Sequence, residues 1–293
     1  MLRLGKTGRS ELYQAYLFVA PALALLLIFR LIPLISGIGY SFTDWNGIAK
    51  PVMIGLANYV ELFSKDLVFR DTMRNTGIML LTLPIWVLFP LVLAVLIHFG
   101  VPGRNFFRVA YFLPLVLSSI IIGSMFSVLL RYDGVLNSLF SVFGLKPTDW
   151  LGGTGTALLS VVSVAIWAHF GMAVLIYLAG LATLSGEVID AARIDGANPF
   201  QIITLIILPI MVPIVQFVTV ISTLAILTSM FGLIFVMTGG GPGTSTYMPE
   251  FLIWLQQGEA NRPGFAAAIS IVLFLCVAVL GAIQVRVLSK DVS

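Results

Sequence analysis

Of the 293 residues, 59% are hydrophobic and only 10% are charged, against roughly 25% in an average soluble domain. With a mean hydropathy of +1.06, 21 Phe and 10 Met, the chain has too little charge to coat a compact globule in water and is read as an integral membrane protein. The single Cys276 excludes an intrachain disulfide and a cysteine metal cluster. The net charge of +3 is scattered through short loops, where it reads as a topology signal and not as a nucleic-acid surface.

A helix needs about 20 apolar residues to cross the hydrocarbon. Six runs free of Asp, Glu and Lys reach that length, at 16–40, 75–99, 109–130, 157–181, 204–237 and 264–285. The expected architecture is therefore all-α, a polytopic membrane protein with six transmembrane helices. The first run follows Arg3, Lys6 and Arg9. It is longer than the apolar part of a signal peptide and no small-x-small cleavage site follows, so it is read as a retained helix. Six spans put both termini on one side, which holds eight basic and five acidic residues, a net +3; the other side holds seven and eight, a net −1. That bias places both termini in the cytoplasm, with Arg104 and Arg108 of a short loop carrying most weight. The fifth run is too long for a straight crossing and is expected to bend, or to start at the interface, around Pro209 and Pro213. Seven of the 14 prolines (Pro21, Pro33, Pro84, Pro90, Pro114, Pro209 and Pro213) lie inside runs, as suits helices that rock about a central site.

Polar groups at membrane depth are costly and point to function. They are few: Arg30 midway along the first run, His98 near the end of the second and His169 midway along the fourth. No run holds the carboxylate that an ion-coupled carrier uses, so a secondary carrier acting alone is the weaker alternative. Arg30 faces a partner, a wet cavity or the interface; His98 reads as an interface residue. His169, flanked by Trp167 and Phe170, either contacts a polar ligand such as a sugar or bonds a neighbouring helix. On the fifth run Gln216, Thr219, Ser222, Thr223, Thr228 and Ser229 form a polar stripe at helical spacing, which lines a path or glues helices.

Residues 185–209, SGEVIDAARIDGANPFQIITLIILP, read as a helix-turn-helix bracket. Ser185 caps the first helix, Glu187 suits its positive end and Gly196 supplies a left-handed stop. Asn198 caps the second, with Pro199 first and Gln201 completing a capping box. Ala191 and Ala192 permit close approach by another protein, and Asp190, Arg193 and Asp195 supply a polar rim.

The spacing D-A-A-x3-G-x9-I-x-L-P from Asp190 to Pro209 resembles the signature E-A-A-x3-G-x9-I-x-L-P of the permease subunits of binding-protein-dependent ABC importers, with Asp190 in place of Glu. SFTDW (41–45), GLANY (55–59), Asn75-Thr76, FFRVAYFLP (106–114), GVLN (134–137), TGGGPGTST (238–246) and GFAAAIS (264–270) resemble the carbohydrate-uptake branch. The GGGP run is similar to the first permease of maltose or glycerol-3-phosphate systems. Gly239 to Thr244 superficially suggests a phosphate cradle, but no Lys follows and it lies away from the cytosol, so it reads as a flexible external turn.

The resemblance implies a type I importer permease fold, with a cytoplasmic segment at 1–15, the first helix and external loop at 16–70, the permease core at 71–286 and a tail at 287–293. It implies that the coupling loop 182–204 engages ATPase subunits through Glu187, Asp190, Ala191, Ala192, Arg193, Asp195, Gly196 and Ala197. It places solute contacts on the fourth and fifth spans, at Trp167, His169, Met172, Thr219, Ser222, Thr223 and Ile226. The implied partners are a second six-helix permease, two cytosolic ATP-binding subunits and an extracytoplasmic solute-binding protein. ATP would be bound by those partners, and this chain would carry no cofactor, metal or catalytic residue of its own.

Overall fold

The computed structural model describes residues 6–100 and 111–290, with side chains over 13–100 and 111–286. Among them five helices are long and apolar enough to cross a membrane: Tyr13–Tyr40, Leu67–His98, Ala157–Leu181, Pro199–Thr228 and Pro263–Arg286. The two-residue strands β1 (Thr43–Asp44) and β2 (Val52–Met53) pair antiparallel beyond the first span, and the remaining regular structure is helical.

In chain order, α1 (Lys6–Leu26) passes through a π turn (Leu27–Leu31) into α2 (Ile32–Tyr40). The apolar window of this span has none of its residues buried; contact with the rest of the chain comes through α2 against the last helix. The short α3 (Ala57–Ser64) lies beyond the hairpin. The second span is longer than the run of apolar residues suggests, because α4 (Leu67–Leu81) begins where Asp66 accepts a bond from Phe69 N at 3.0 Å. It is interrupted at Thr82 and continues as α5 (Leu83–His98).

The third expected span departs most from expectation. Residues 109 and 110 lie outside the described residues; 111–116 is helical, the chain opens at 117–118, and α6 (Ser119–Leu129) starts afresh with Ser118 Oγ accepting from Ile121 N at 3.3 Å. Its 11 residues rise about 16 Å, half of the ~30 Å hydrocarbon thickness. Six uninterrupted spans are thus five long helices and a broken one, because Ser118 gives the backbone a local alternative to continuing the helix.

After α7 (Val135–Val142) comes the central α8 (Ala157–Leu181), which packs most extensively against α5 and also against α6. The bracket helix α9 (Gly186–Ile194) follows, and then a turn at Pro199–Gln201 and a π segment, Ile202–Ile207, lead into α10 (Leu208–Thr228). Both π segments end just before a proline, Pro33 and Pro209. Proline offers no N–H and its ring crowds the carbonyl four residues back, and the wider π spacing relieves both. The fifth span therefore runs unbroken through Pro209 and Pro213; its break lies at the other end, at Ser229–Met230, before α11 (Phe231–Met237). The chain closes with α12 (Pro249–Gly258) and α13 (Pro263–Lys290).

Two apolar clusters hold α8 in place. One joins Met79, Trp86, Val161, Ile226 and Leu233; the other joins Leu91, Tyr177, Leu181, Ile189, Ile202 and Met211, and reaches the bracket. At the opposite end the sequence motifs meet one another. Asn58 Nδ2 donates to the carbonyls of Ser41 and Thr43, and Gly264 N to that of Trp45. Asn75 Nδ2 donates to Thr244 O at 2.9 Å and Tyr247 O at 3.2 Å. The glycine-rich turn is thus braced from α4, and from within by the fully buried Thr246, whose hydroxyl meets Thr238 Oγ1 at 2.7 Å. It is not the free turn that its composition suggests.

Candidate functional site

Local chemistry alone builds the bracket. Ser185 Oγ accepts from Glu187 N at 3.2 Å and opens α9. At its other end Gly196 takes φ +83°, while its N–H reaches Arg193 O and that of Ala197 reaches Ala192 O. These two bonds form a Schellman stop, which needs a left-handed residue at the glycine position. Asn198 and Gln201 then cap each other reciprocally, Gln201 Oε1 accepting from Asn198 N at 2.8 Å and Asn198 Oδ1 from Gln201 N at 2.9 Å.

Within α9 only Ile189 is buried, seated in the cluster that holds Leu181, Ile202 and Ile207. Of the residues expected to couple, Glu187, Asp190, Ala191, Arg193, Asp195 and Gly196 are exposed, and Ala192 and Ala197 are half-buried. Asp190 and Arg193 pair at 3.2 Å on that surface. The sequence reading passed over three apolar side chains beside them: Val188, Ile194 and Phe200 all stand exposed, Ile194 to 87%. Exposed apolar groups rimmed by charge mark a surface made for a partner.

The seven residues expected to meet solute are dispersed. His169 Nδ1 lies 2.9 Å from Ala165 O, one turn back on its own helix, and its ring is 5.2 Å from that of Trp86 on α5. Trp167 meets Phe126 edge to face at 5.2 Å and lines a cavity of about 350 Å³ with Trp150, Ser160 and Ser163. Of the seven, that cavity takes Trp167 alone. Met172 is exposed on α8, Thr219 donates to Val215 O, and Ser222 is buried. Ile226 is fully buried in the cluster against which Trp167 also packs. Thr223 Oγ1 donates to Thr219 O and accepts from Gln284 Nε2, both at 2.8 Å. Part of the polar stripe is therefore spent on bonding α10 to α13. Gln284 itself went unnoticed, although an amide in a long apolar run was the available signal.

Two further charged sites lie outside the expected set. Arg262 grips Glu61 bidentately, both bonds at 2.8 Å, with its guanidinium 4.2 Å over the Phe265 ring. That bond first, and the charge of Arg262 next, hold the Glu61 carboxyl below its ordinary range despite partial burial. Glu250 Oε2 accepts from Met230 N at 2.9 Å and Phe231 N at 3.0 Å. Burial pushes its carboxyl above the usual range, with the two N–H bonds opposing. In sequence an acid one residue after Pro249 reads only as an ordinary helix start. Arg30 stands exposed on the first π turn with no ion pair among the described residues, and His98 is exposed at the end of α5.

Residues 52–293 match the family described as binding-protein-dependent transport system inner membrane component. The chain is 29% identical to the multiple sugar-binding transport system permease protein MsmF of Streptococcus mutans, over 95% of this chain and 96% of that one. It is 31% identical to a probable starch degradation products permease, AmyD, of Thermoanaerobacterium thermosulfurigenes, over 94% of each. A chain of a bacterial alginate ABC transporter, solved with an alginate pentasaccharide-bound periplasmic protein, superposes with a TM-score of 0.83 at 25% identity, covering 97% of this chain and 96% of that one.

Proposed function

Because the chain belongs to the family of binding-protein-dependent transport system inner membrane components, we propose that it is the permease subunit of an ATP-driven importer of sugars or sugar-like solutes. The observation that carries this reading is the bracket: a rigidly capped helix, anchored through one buried isoleucine and presenting a charged rim around exposed apolar side chains. Such a surface suits a groove on a cytosolic ATPase. The carbohydrate class rests on relatives named for multiple sugars and starch products and on a structural neighbour in an alginate importer.

In this reading an extracytoplasmic binding protein delivers solute to the outer mouth of a heterodimer of this chain and a related permease. Two ATPase subunits grip the two brackets, with both termini of this chain in the cytoplasm. When ATP draws the ATPases together, α9 moves as a unit, since its caps hold it as a block. Ile189 lies in one cluster with Leu181 at the end of α8 and with Ile202 and Ile207 leading into α10. Displacement of the bracket therefore tilts α8 and α10, and the cavity between permeases switches its opening. Trp167, His169, Met172, Thr219, Ser222, Thr223 and Ile226 lie on the two helices so moved. Access to the buried members requires that motion.

Reconstitution of this chain with its partner permease, ATPase and binding protein tests the reading. Uptake of a labelled oligosaccharide that needs ATP and every subunit is the expected result. Uptake driven by an ion gradient, with the ATPase left out, would overturn it.

A further inference from the structure

Glu250 belongs neither to the bracket nor to the residues expected to meet solute. It stands in the first turn of α12, and its Oε2 takes two backbone donors, the N–H groups of Met230 and Phe231. Those amides open α11 immediately beyond the break in the fifth span, where Ser229 leaves the helix at φ −138°. The break leaves N–H groups at the start of α11 that need acceptors. Here a carboxylate from another element satisfies two at once, and charge-assisted bonds of this kind are the strong ones.

The break lies between α10 and α11, which stay linked through Ile226 and Leu233 of one apolar cluster. On one side α11 packs against α6, so closely at Gly123 that an added Cβ would stand 3.3 Å from Val236 Cβ. Phe231 is held there by Phe251 and Trp254, with ring centroids 6.3 and 5.8 Å away. On the other side α10 packs on α5 and α8 and continues into the bracket through Ile202–Ile207. A cavity of about 410 Å³ bordered by Glu250, Thr228 and Ser270 lies at the joint and leaves the end of α10 room to shift.

We infer that Glu250 is a positioning residue for transport: it pins the start of α11 while α10 moves with the bracket. The inference rests on the permease reading above. Its test uses the assembled complex in lipid nanodiscs and proteoliposomes. Glu250→Leu, which removes the oxygen that accepts both bonds, is expected to lower uptake at least about tenfold, the equivalent of losing one of the two charge-assisted hydrogen bonds, while ATP hydrolysis continues. Glu250→Gln, which keeps a carbonyl acceptor, is expected to retain most uptake. Wild-type uptake by Glu250→Leu would overturn the inference, as would loss of hydrolysis in step with uptake. Hydrogen exchange on the wild-type complex does not depend on any variant folding. Between nucleotide-free and ATP-trapped states, exchange should change over 208–228 and stay constant over 231–237. Equal change in both stretches, or change in neither, would also overturn it. If the wild-type complex shows no ATP-dependent uptake, the permease reading itself fails; if it does, the outcomes bear on Glu250 alone.

Discussion

The bracket and the helices it joins treat polar groups in opposite ways. Around α9 the capping bonds close within a few residues, leaving Asp190, Arg193 and Asp195 facing outward. Along α8 and α10 several polar side chains turn back on their own backbone or across to another helix, as His169 does to Ala165 and Thr223 to Gln284, while the buried Tyr177 hydroxyl has no partner among the described residues. In water a polar side chain is free to point away from the fold, and a surface can be held ready for a partner. At membrane depth every donor needs an acceptor at once, so groups that will meet solute must first be satisfied internally. A bracket can thus be preformed for binding, whereas a solute path on these helices has to be opened.

That contrast can be broken at several points. The largest effect is expected from Gly196→Arg. A left-handed non-glycine residue costs about 1 to 2 kcal/mol, and the bulky cation stands in the middle of the coupling surface. Uptake should be abolished while the chain still reaches the membrane, read by transport and by surface labelling. Next, Ile189→Ala removes the one buried anchor of α9. Core truncations of this type cost about 2 to 5 kcal/mol, so amide exchange over 186–194 should quicken and uptake fall while helices distant from the bracket keep their protection.

Asn198→Ala removes one half of the capping box, worth about 1 kcal/mol. It should loosen the same segment more mildly, and a Ser at that position should restore it. Thr223→Val deletes the acceptor for Gln284, and hydrogen bonds between membrane helices average about 0.6 kcal/mol. A small drop in Tm with uptake intact would assign Thr223 to packing. A raised KM with unchanged Tm would instead assign it to solute, and the contrast between the two regions would soften.

The smallest effect concerns the ion pair of Glu61 and Arg262, both side chains 40% exposed. The Glu61 carboxyl is held below its ordinary value of 4.5. A group depressed in the folded state contributes stability above its unfolded pKa and loses it as pH falls through the folded one. Wild-type protein should therefore exceed Glu61→Gln in Tm near neutrality, and the difference should vanish in acid titration below pH 4.5. A gap independent of pH would mean that the pair acts by packing alone.

Several features were legible because their causes are local. Ser185, Gly196, Asn198, Pro199 and Gln201 each act within a few residues of their own backbone, so the bracket could be derived cap by cap. Apolar length announced the spans, and five of the six runs correspond to long helices. The break in the third span was missed because Ser118 resembles its neighbour Ser119 in composition. Its capping geometry appears only once the chain has left the helix at 117–118. The prolines of the fifth run drew attention to one end, where a π segment precedes Pro209, and gave no sign of the break at Ser229–Met230.

By itself the sequence determined the solvent of the chain, the existence of most spans, the bracket and, through its spaced motifs, the family. Hydrophobic length and capping are short-range properties, and a reader with no coordinates can sum them. Only the tertiary structure decided what the motif residues do. Asn58 ties the first external loop together, Asn75 braces a turn 169 residues away, and Gln284 claims Thr223 from 61 residues away. It alone brought Glu250 to the broken end of the fifth span. Each of these depends on which polar groups the packing brings within reach of one another, and that is fixed only when the helices meet.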